Sequence, residues 1–394
     1  MVSARTLVLA FSVFSVFSVF SVVQSLDLMN SLLTTTLDHL RALVSHDTQN
    51  PPRTISTDGI FEYVRSQLNG FHWSITDYGS GAVSIFAVRG TPRILFNVHL
   101  DTVPAGPTWT RDPFELLVAD QRAIGLGACD IKGAAAALLT AAAHTSGDMA
   151  LLFTSDEEAN DARCVSSFLA QKRPFDSIIV AEPTRCEAVL AHRGISSVRV
   201  AFAGRAGHAS ASNATANSAV HQAMRWGARA LDFVDSQAHQ RFGGLTGLRF
   251  NVGRIEGGIK ANVIAPAAEA RFGFRPLPSM DTDALLAKFR DCADPAPAEF
   301  VETFRGPSLP AGDIAQAEAK RLAARDLADE LGITIGNAVD FWTEASLFSA
   351  AGYNAFVCGP GDIAQAHSAD EFVELSQLQQ ITESYIRIID HAGA

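Results

Sequence analysis

Short, largely apolar runs that break off at a histidine or an acid constrain this chain more than any other feature. RILFNVHL (Arg93 to Leu100), ALLFTS (Ala150 to Ser155), SIIVAEP (Ser177 to Pro183) and NAFVCG (Asn354 to Gly359) read as strands, and helical patterns separate them: Ser31 to Ser45, Gly133 to Thr145, Asp313 to Leu331 and Ser376 to His391. Apolar strands alternating with helices indicate a mostly parallel sheet covered on both faces, an α/β fold. After Gly194 the pattern changes. SSVRVAFAG alternates, a helix follows at Ser218 to Ala238, then strands at LRFNVGRIEG and EARFGFRP, a helix at Asp283 to Cys292 and a strand at EFVETFRG. That β-α-β-β-α-β order is ferredoxin-like, and ~110 residues suffice for a separate domain. We therefore expect an insert at 193–306 within a domain formed by 29–192 and 307–394, with hinges near His192 to Gly194 and Gly306 to Pro310.

Residues 1–28 stand apart. From Thr6 to Leu26 the chain is, apart from Thr6 and Gln24, apolar residues and Ser built on a Phe-Ser-Val repeat, which at face value is a secretory segment or a membrane anchor. Our expectation is that synthesis starts at Met29 and that the protein is cytoplasmic; a membrane association would require residues 6–26 to be a real anchor. The five cysteines agree with a reducing compartment, being scattered and never in CxxC. With 394 residues and 47% apolar content the chain can fill two cores. Its net charge of −11, from 31 basic and 42 acidic residues, repels phosphate backbones and argues against nucleic acid as a partner.

Open parallel sheets present ligands to the carboxyl ends of their strands. Five separate elements bring polar groups there: His99 and Asp101 after the first run, Asp130 after GLGAC, Glu157 and Glu158 after ALLFTS, Glu182 after SIIVA, and His367 beyond NAFVCG. One such residue is usually a satisfied structural group or a helix cap. Several carboxylates in one crevice repel each other unless a cation neutralises them. Imidazoles among the carboxylates suit zinc or a similar ion better than calcium, and the set is too large for one tetrahedral ion, so two ions ~3.5–4 Å apart sharing a carboxylate are expected. Residues two apart in a strand face the same way, which lets Asp101 accept the second ring N–H of His99. The neighbours Glu157 and Glu158 point differently, so one can ligate while the other acts as a general base.

HLDTVP (His99 to Pro104), GLGACDIKG (Gly125 to Gly133), SDEEAN (Ser155 to Asn160), AEPT (Ala181 to Thr184), GRAGHAS (Gly204 to Ser210) and GPGDIAQAHSADEF (Gly359 to Phe372) resemble the acetylornithine deacetylase and succinyl-diaminopimelate desuccinylase family of di-zinc amidohydrolases, from about Leu32 onward. The resemblance implies that His99 and Glu182 hold one metal, His367 and Glu158 the other, and that Asp130 bridges both. It implies two Zn2+ per subunit, with Co2+ a plausible substitute. Glu157 is implied as the base that takes a proton from water and returns it to the leaving amine, and Asp101 as the residue orienting His99. The inserted domain is implied to be a lid that also makes a homodimer, so that His208 of the partner subunit stabilises the oxyanion. Asn262 and Arg275 are implied to bind the substrate carboxylate. The implied substrate is a small N-acyl amino acid, with a dipeptidase or broader aminoacylase as the rival. Thr343 and Glu344 in FWTEAS are candidates for facing its side chain, or else form a turn supporting the metal rim.

Other chemistries are excluded. Gly125-x-Gly127 lacks the third glycine of a dinucleotide loop, and Asp130 would repel a pyrophosphate. No GxSxG elbow is present, and the acid beside Cys129 makes it a passive thiol.

Overall fold

A computed structural model describes residues 31–159 and 161–392. The Phe-Ser-Val segment, with both readings of it, lies outside the described residues. Among the described residues no helix is long and apolar enough to cross a membrane.

In chain order the first elements are α1 (31–44), α2 (Ile60–Gln67), β1 (His72–Asp77), β2 (Val83–Arg89), β3 (Ile94–His99), β4 (Leu117–Ala119), β5 (Arg122–Ile124), α3 (Gly133–His144), β6 (Met149–Thr154), α4 (Arg163–Leu169) and β7 (Ser177–Val180). Then come β8 (Ile195–Ala203), α5 (Ala214–Asn217), α6 (Ala219–Ser236), β9 (Arg241–Phe242), β10 (Leu245–Thr246), β11 (Arg249–Gly257), β12 (Ala267–Arg275), α7 (Thr282–Asp291) and β13 (Glu299–Gly306). The chain closes with α8 (Ile314–Glu330), α9 (Ala345–Ala350), β14 (Asn354–Val357), β15 (Phe372–Glu374) and α10 (Leu375–Ala392). The described residues form two compact units, one of 31–159, 181–186 and 359–392, the other of 161–180 and 187–358.

In the first unit the strands are ordered β1-β2-β6-β3, with β3 parallel to β6 and the outer pairs antiparallel. The sequence pattern signals β3 and β6, both fully buried, but not β1, whose mostly exposed residues carry no apolar signature. Helix α3 (GAAAALLTAAAH) is apolar on every side and buried nearly throughout, as a helix without a solvent face must be. It packs against α10. The Thr36 hydroxyl lies 3.0 Å from that of Thr140 and 3.2 Å from that of Thr382, so α1, α3 and α10 share a satisfied polar pin inside the core. A small antiparallel sheet, β15-β5-β4, completes this unit.

The second unit holds a four-stranded antiparallel sheet in the order β11-β12-β8-β13, the ferredoxin-like arrangement expected from the strand and helix order. Alternation in β8 buries Val198, Val200 and Phe202, which pack with Trp226 of α6, Phe272 of β12 and Phe289 of α7. This unit also contains β7 and β14, paired in parallel, with α8 and α9 against β14. The unit limits therefore fall outside 193–306, because α4, β7, α8, α9 and β14 pack among themselves.

Candidate active site

The ends of β3 and β6 lie side by side, because Val98 is opposite Phe153 and His99 opposite Thr154, and the Leu100 N–H donates to the Thr154 carbonyl. That register brings His99 and Asp101 next to the turn carrying Glu157 and Glu158. Ser155 locks the turn from below, its hydroxyl donating to the Gly81 carbonyl at 2.8 Å and accepting the Val83 N–H at 2.9 Å. Glu182 is placed by the Ala181 N–H, which donates to the Asn97 carbonyl of β3 at 2.8 Å. The loop before β15 delivers His367, whose backbone is in the left-handed region at φ 57, a conformation that surrounding structure must hold in place. Gly359 lets this loop pass close to Glu182, since a Cβ there would sit 2.7 Å from the Glu182 carbonyl oxygen.

Two clusters result. His99 Nε2 lies 3.1 Å from Asp130 Oδ1 and 3.7 Å from Glu182 Oε1, all three residues being buried. His367 Nε2 lies 3.4 Å from Asp130 Oδ2 and 2.9 Å from Glu158 Oε1. Each oxygen of Asp130 thus faces a different histidine. Donor atoms on one tetrahedral zinc, with bonds of about 2.0–2.1 Å, stand about 3.3 Å apart. The observed spacings fit two such ions, and the nitrogen and oxygen donor set fits them chemically.

The charges make the same point. Burial pushes the His99 imidazole down, but Glu182, Asp101 and Asp130 outweigh it and hold it well above its ordinary value. His367 is pushed up to about 11 by Asp130 and Glu158. Asp130 is drawn down against its burial by the two histidines. Burial, with its acidic neighbours, raises Glu182 to about 7 and holds Glu157 well above the usual carboxylate range. Acids that force protons onto one another in a buried crevice are a site short of positive charge. Among the described residues Glu157 has no hydrogen-bond partner, so its carboxyl is free to exchange a proton.

Asp101 is more deeply engaged than its spacing suggests. The His99 Nδ1–H donates to the Asp101 carbonyl oxygen at 3.0 Å, and the carboxylate oxygen Oδ1 lies further off at 3.4 Å. The second carboxylate oxygen accepts the Glu158 N–H and the Asn50 side-chain amide, both at 3.0 Å. One wholly buried residue therefore fixes the tautomer of the histidine in one cluster and holds the backbone of the acid in the other.

The comparisons with known proteins agree with this geometry. The model of Peptidase family M20/M25/M40 matches residues 95–391. The chain belongs to that family. It is 68% identical over 363 residues to N-acetyl-L-citrulline deacetylase of Xanthomonas campestris pv. campestris, covering 92% of this chain and 99% of the relative. It is 30% identical to acetylornithine deacetylase of Salmonella paratyphi B, over 77% of this chain and 81% of that one. In structure it is similar to an M20 family metallo-carboxypeptidase from Sulfolobus solfataricus, with a TM-score of 0.69, 16% identity and coverage of 90% of this chain and 99% of that one, a likeness of fold. The M20 chain is thus a hydrolase with a cluster of ligands suited to a pair of metal ions.

The remaining candidates of this M20 chain lie in the second unit. His208 and Asn262 are neighbours: His208 bridges to Val263, and the Ala209 N–H donates to the Asn262 carbonyl at 3.1 Å. Both are exposed, and the His208 Nδ1 is 2.7 Å from the Ser210 hydroxyl. Arg275 ends β12 and lines a cavity of about 710 Å3 on the open face of the antiparallel sheet, with Arg249, Arg199, Arg271 and Asn251. Glu344 is buried at the head of α9. Thr343 is wholly buried, its hydroxyl 3.0 Å from His192 Nε2 and accepting the Ala345 N–H at 3.2 Å, as in a supporting turn. Cys129 is buried, and its thiol is raised by burial, then by Glu371 and Asp130. Asn50 and Glu371, which touch the site's framework, escape sequence reasoning: Glu371 lies within GPGDIAQAHSADEF beside Asp370, but nothing in that segment shows that its partners are the backbone N–H groups of 127–130.

Proposed function

We propose that this chain hydrolyses the acetyl amide of N-acetyl-L-citrulline, giving L-citrulline and acetate in arginine biosynthesis. The observation that carries the chemistry is Asp130 with one oxygen toward each histidine, beside an unpartnered Glu157. The substrate rests on the high identity to the Xanthomonas protein of that name over nearly all of its length. We assign His99 and Glu182 to one Zn2+, His367 and Glu158 to the other, and Asp130 to both; Co2+ would serve as a substitute. The ions, when bound, activate a water and polarise the amide carbonyl. Glu157 takes the proton from the attacking water and returns it to the departing amine. Asp101 holds His99 so that Nε2 presents its lone pair. Arg275 and Asn262 bind the substrate carboxylate, and Glu344 contributes to the side-chain pocket.

The antiparallel sheet domain acts as the lid and dimer contact, with His208 of the partner subunit on the oxyanion. Exposed Met224 and Leu231, seven residues apart on α6, and Ile255 on the edge strand β11 support an apolar interface there. Four buried cysteines with no disulfide among the described residues fit a cytoplasmic protein.

The test is kcat/KM for N-acetylcitrulline, N-acetylornithine and succinyl-diaminopimelate with metal-reconstituted enzyme. N-acetylcitrulline is expected to lead; preference for either of the others overturns the substrate. Sedimentation of the same material as a monomer would overturn the dimer.

A further inference from the structure

We propose that Glu371 is the positioning residue that holds Asp130 in its bridging orientation, an inference that rests on the two-ion reading above. The Gly127 to Asp130 turn is neither regular helix nor strand: Gly127 has φ 78, and Asp130 has φ −121 and ψ 88. Its backbone N–H groups need acceptors from elsewhere. Glu371 supplies them. Oε1 accepts the Cys129 N–H at 2.8 Å and the Asp130 N–H at 2.9 Å, and Oε2 accepts the Gly127 N–H at 3.0 Å. The Glu371 carbonyl in turn accepts the Gly125 N–H at 3.0 Å, and the next residue, Phe372, pairs with Ile124. Backbone and side chain therefore clamp the same turn from one position.

With its own N–H held, Asp130 keeps only side-chain torsions with which to aim its two oxygens. Three backbone N–H groups held by one buried side chain fix the turn at three points. Lys132, wholly buried just beyond the same turn, donates from Nζ to the His46 carbonyl at 3.0 Å and ties the far end of the turn to the segment after α1. Glu371 follows His367 by four residues. A single segment thus provides a ligand of one cluster and orients the ligand shared by both.

The test is Glu371→Gln in the full chain. The amide keeps the size but can place an acceptor on only one side, leaving an NH2 facing a backbone N–H. Hydrogen exchange at the amides of 127–130 in the metal-free protein should speed up by about tenfold or more, while the melting temperature of that form shifts by only a few degrees. Zinc titration should show the second equivalent bound roughly 10–100-fold more weakly, with a matching loss in the visible spectrum of the Co2+-loaded form. Turnover should fall through kcat, with KM within about threefold. Glu371→Asp, which keeps the charge but is one methylene short, should show the same losses and serves if the first variant does not fold. Unchanged exchange in the turn, wild-type affinity for both equivalents, or a change confined to KM overturns the proposal. If wild-type protein binds no metal, the two-ion reading fails on its own, and the metal-free exchange experiment still decides whether Glu371 holds the turn.

Discussion

His99 in the first unit and His192 in the second are both almost wholly buried, yet their surroundings drive them in opposite directions. His192 has neutral hydrogen-bond partners, its Nδ1–H donating to the Arg193 carbonyl at 2.7 Å and its Nε2 meeting the Thr343 hydroxyl, and the one charge acting on it, Arg275, is positive. Burial then dominates and the imidazole is pushed down to about 4. His99 suffers the same burial, but Glu182, Asp101 and Asp130 surround it and raise it. Burial without acidic neighbours drives an imidazole toward its neutral form, whereas carboxylates converging on it hold it charged, the setting that our proposed metal ligand His99 has and His192 lacks. The motif HLD and the dipeptide HR carry no such distinction locally.

The largest test of the contrast is to remove the acid next to Glu158 in the candidate site, Glu157. Glu157→Ala should lower turnover by about 10²–10⁴-fold while elemental analysis still finds both metals; loss of metal would mean that Glu157 and Glu158 are assigned the wrong way round. Next comes the histidine pair itself. His99→Ala should lose a metal equivalent and nearly all activity, whereas His192→Asn should retain its full metal content; equal metal loss in both variants would erase the difference drawn between them. Asp101→Asn keeps the carbonyl contact to His99 but weakens the carboxylate contacts, and a decrease of roughly 10–100-fold in metal affinity or activity is expected.

The smallest effect concerns stability. Below pH 6.5 an unfolded chain protonates His192 while the folded one, held down to about 4, does not. Folding stability should therefore fall by ~1.4 kcal/mol per pH unit as pH drops from 6.5 toward 4, with no contribution above that window. Urea midpoints across this range should be less steep in acid for His192→Asn than for wild type; identical slopes would show that His192 titrates normally.

Much of this was legible before any coordinates. The apolar runs at β3, β6, β7 and β14 announce themselves because a strand buried on both faces tolerates little else, and the first three point to the residues just beyond their ends. Strand β1 was silent, since its exposed residues obey no pattern of burial, and β4, β5 and β15, three residues each, are too short to show a period. Glu371 was silent for another reason: its partners are backbone N–H groups, which every residue possesses and no sequence motif displays.

Residue types and their order were enough to choose the architecture, the candidate acids and histidines and the need for positive charge, because hydrophobic periodicity and the cost of crowding like charges depend on composition along the chain. Which oxygen of Asp130 faces which histidine, which atom of Asp101 receives the His99 proton, and which acid stays unpaired emerged only once distant segments were brought within hydrogen-bonding reach. Those outcomes turn on differences of a few tenths of an ångström between groups that are remote in sequence, and only the packed chain sets such distances.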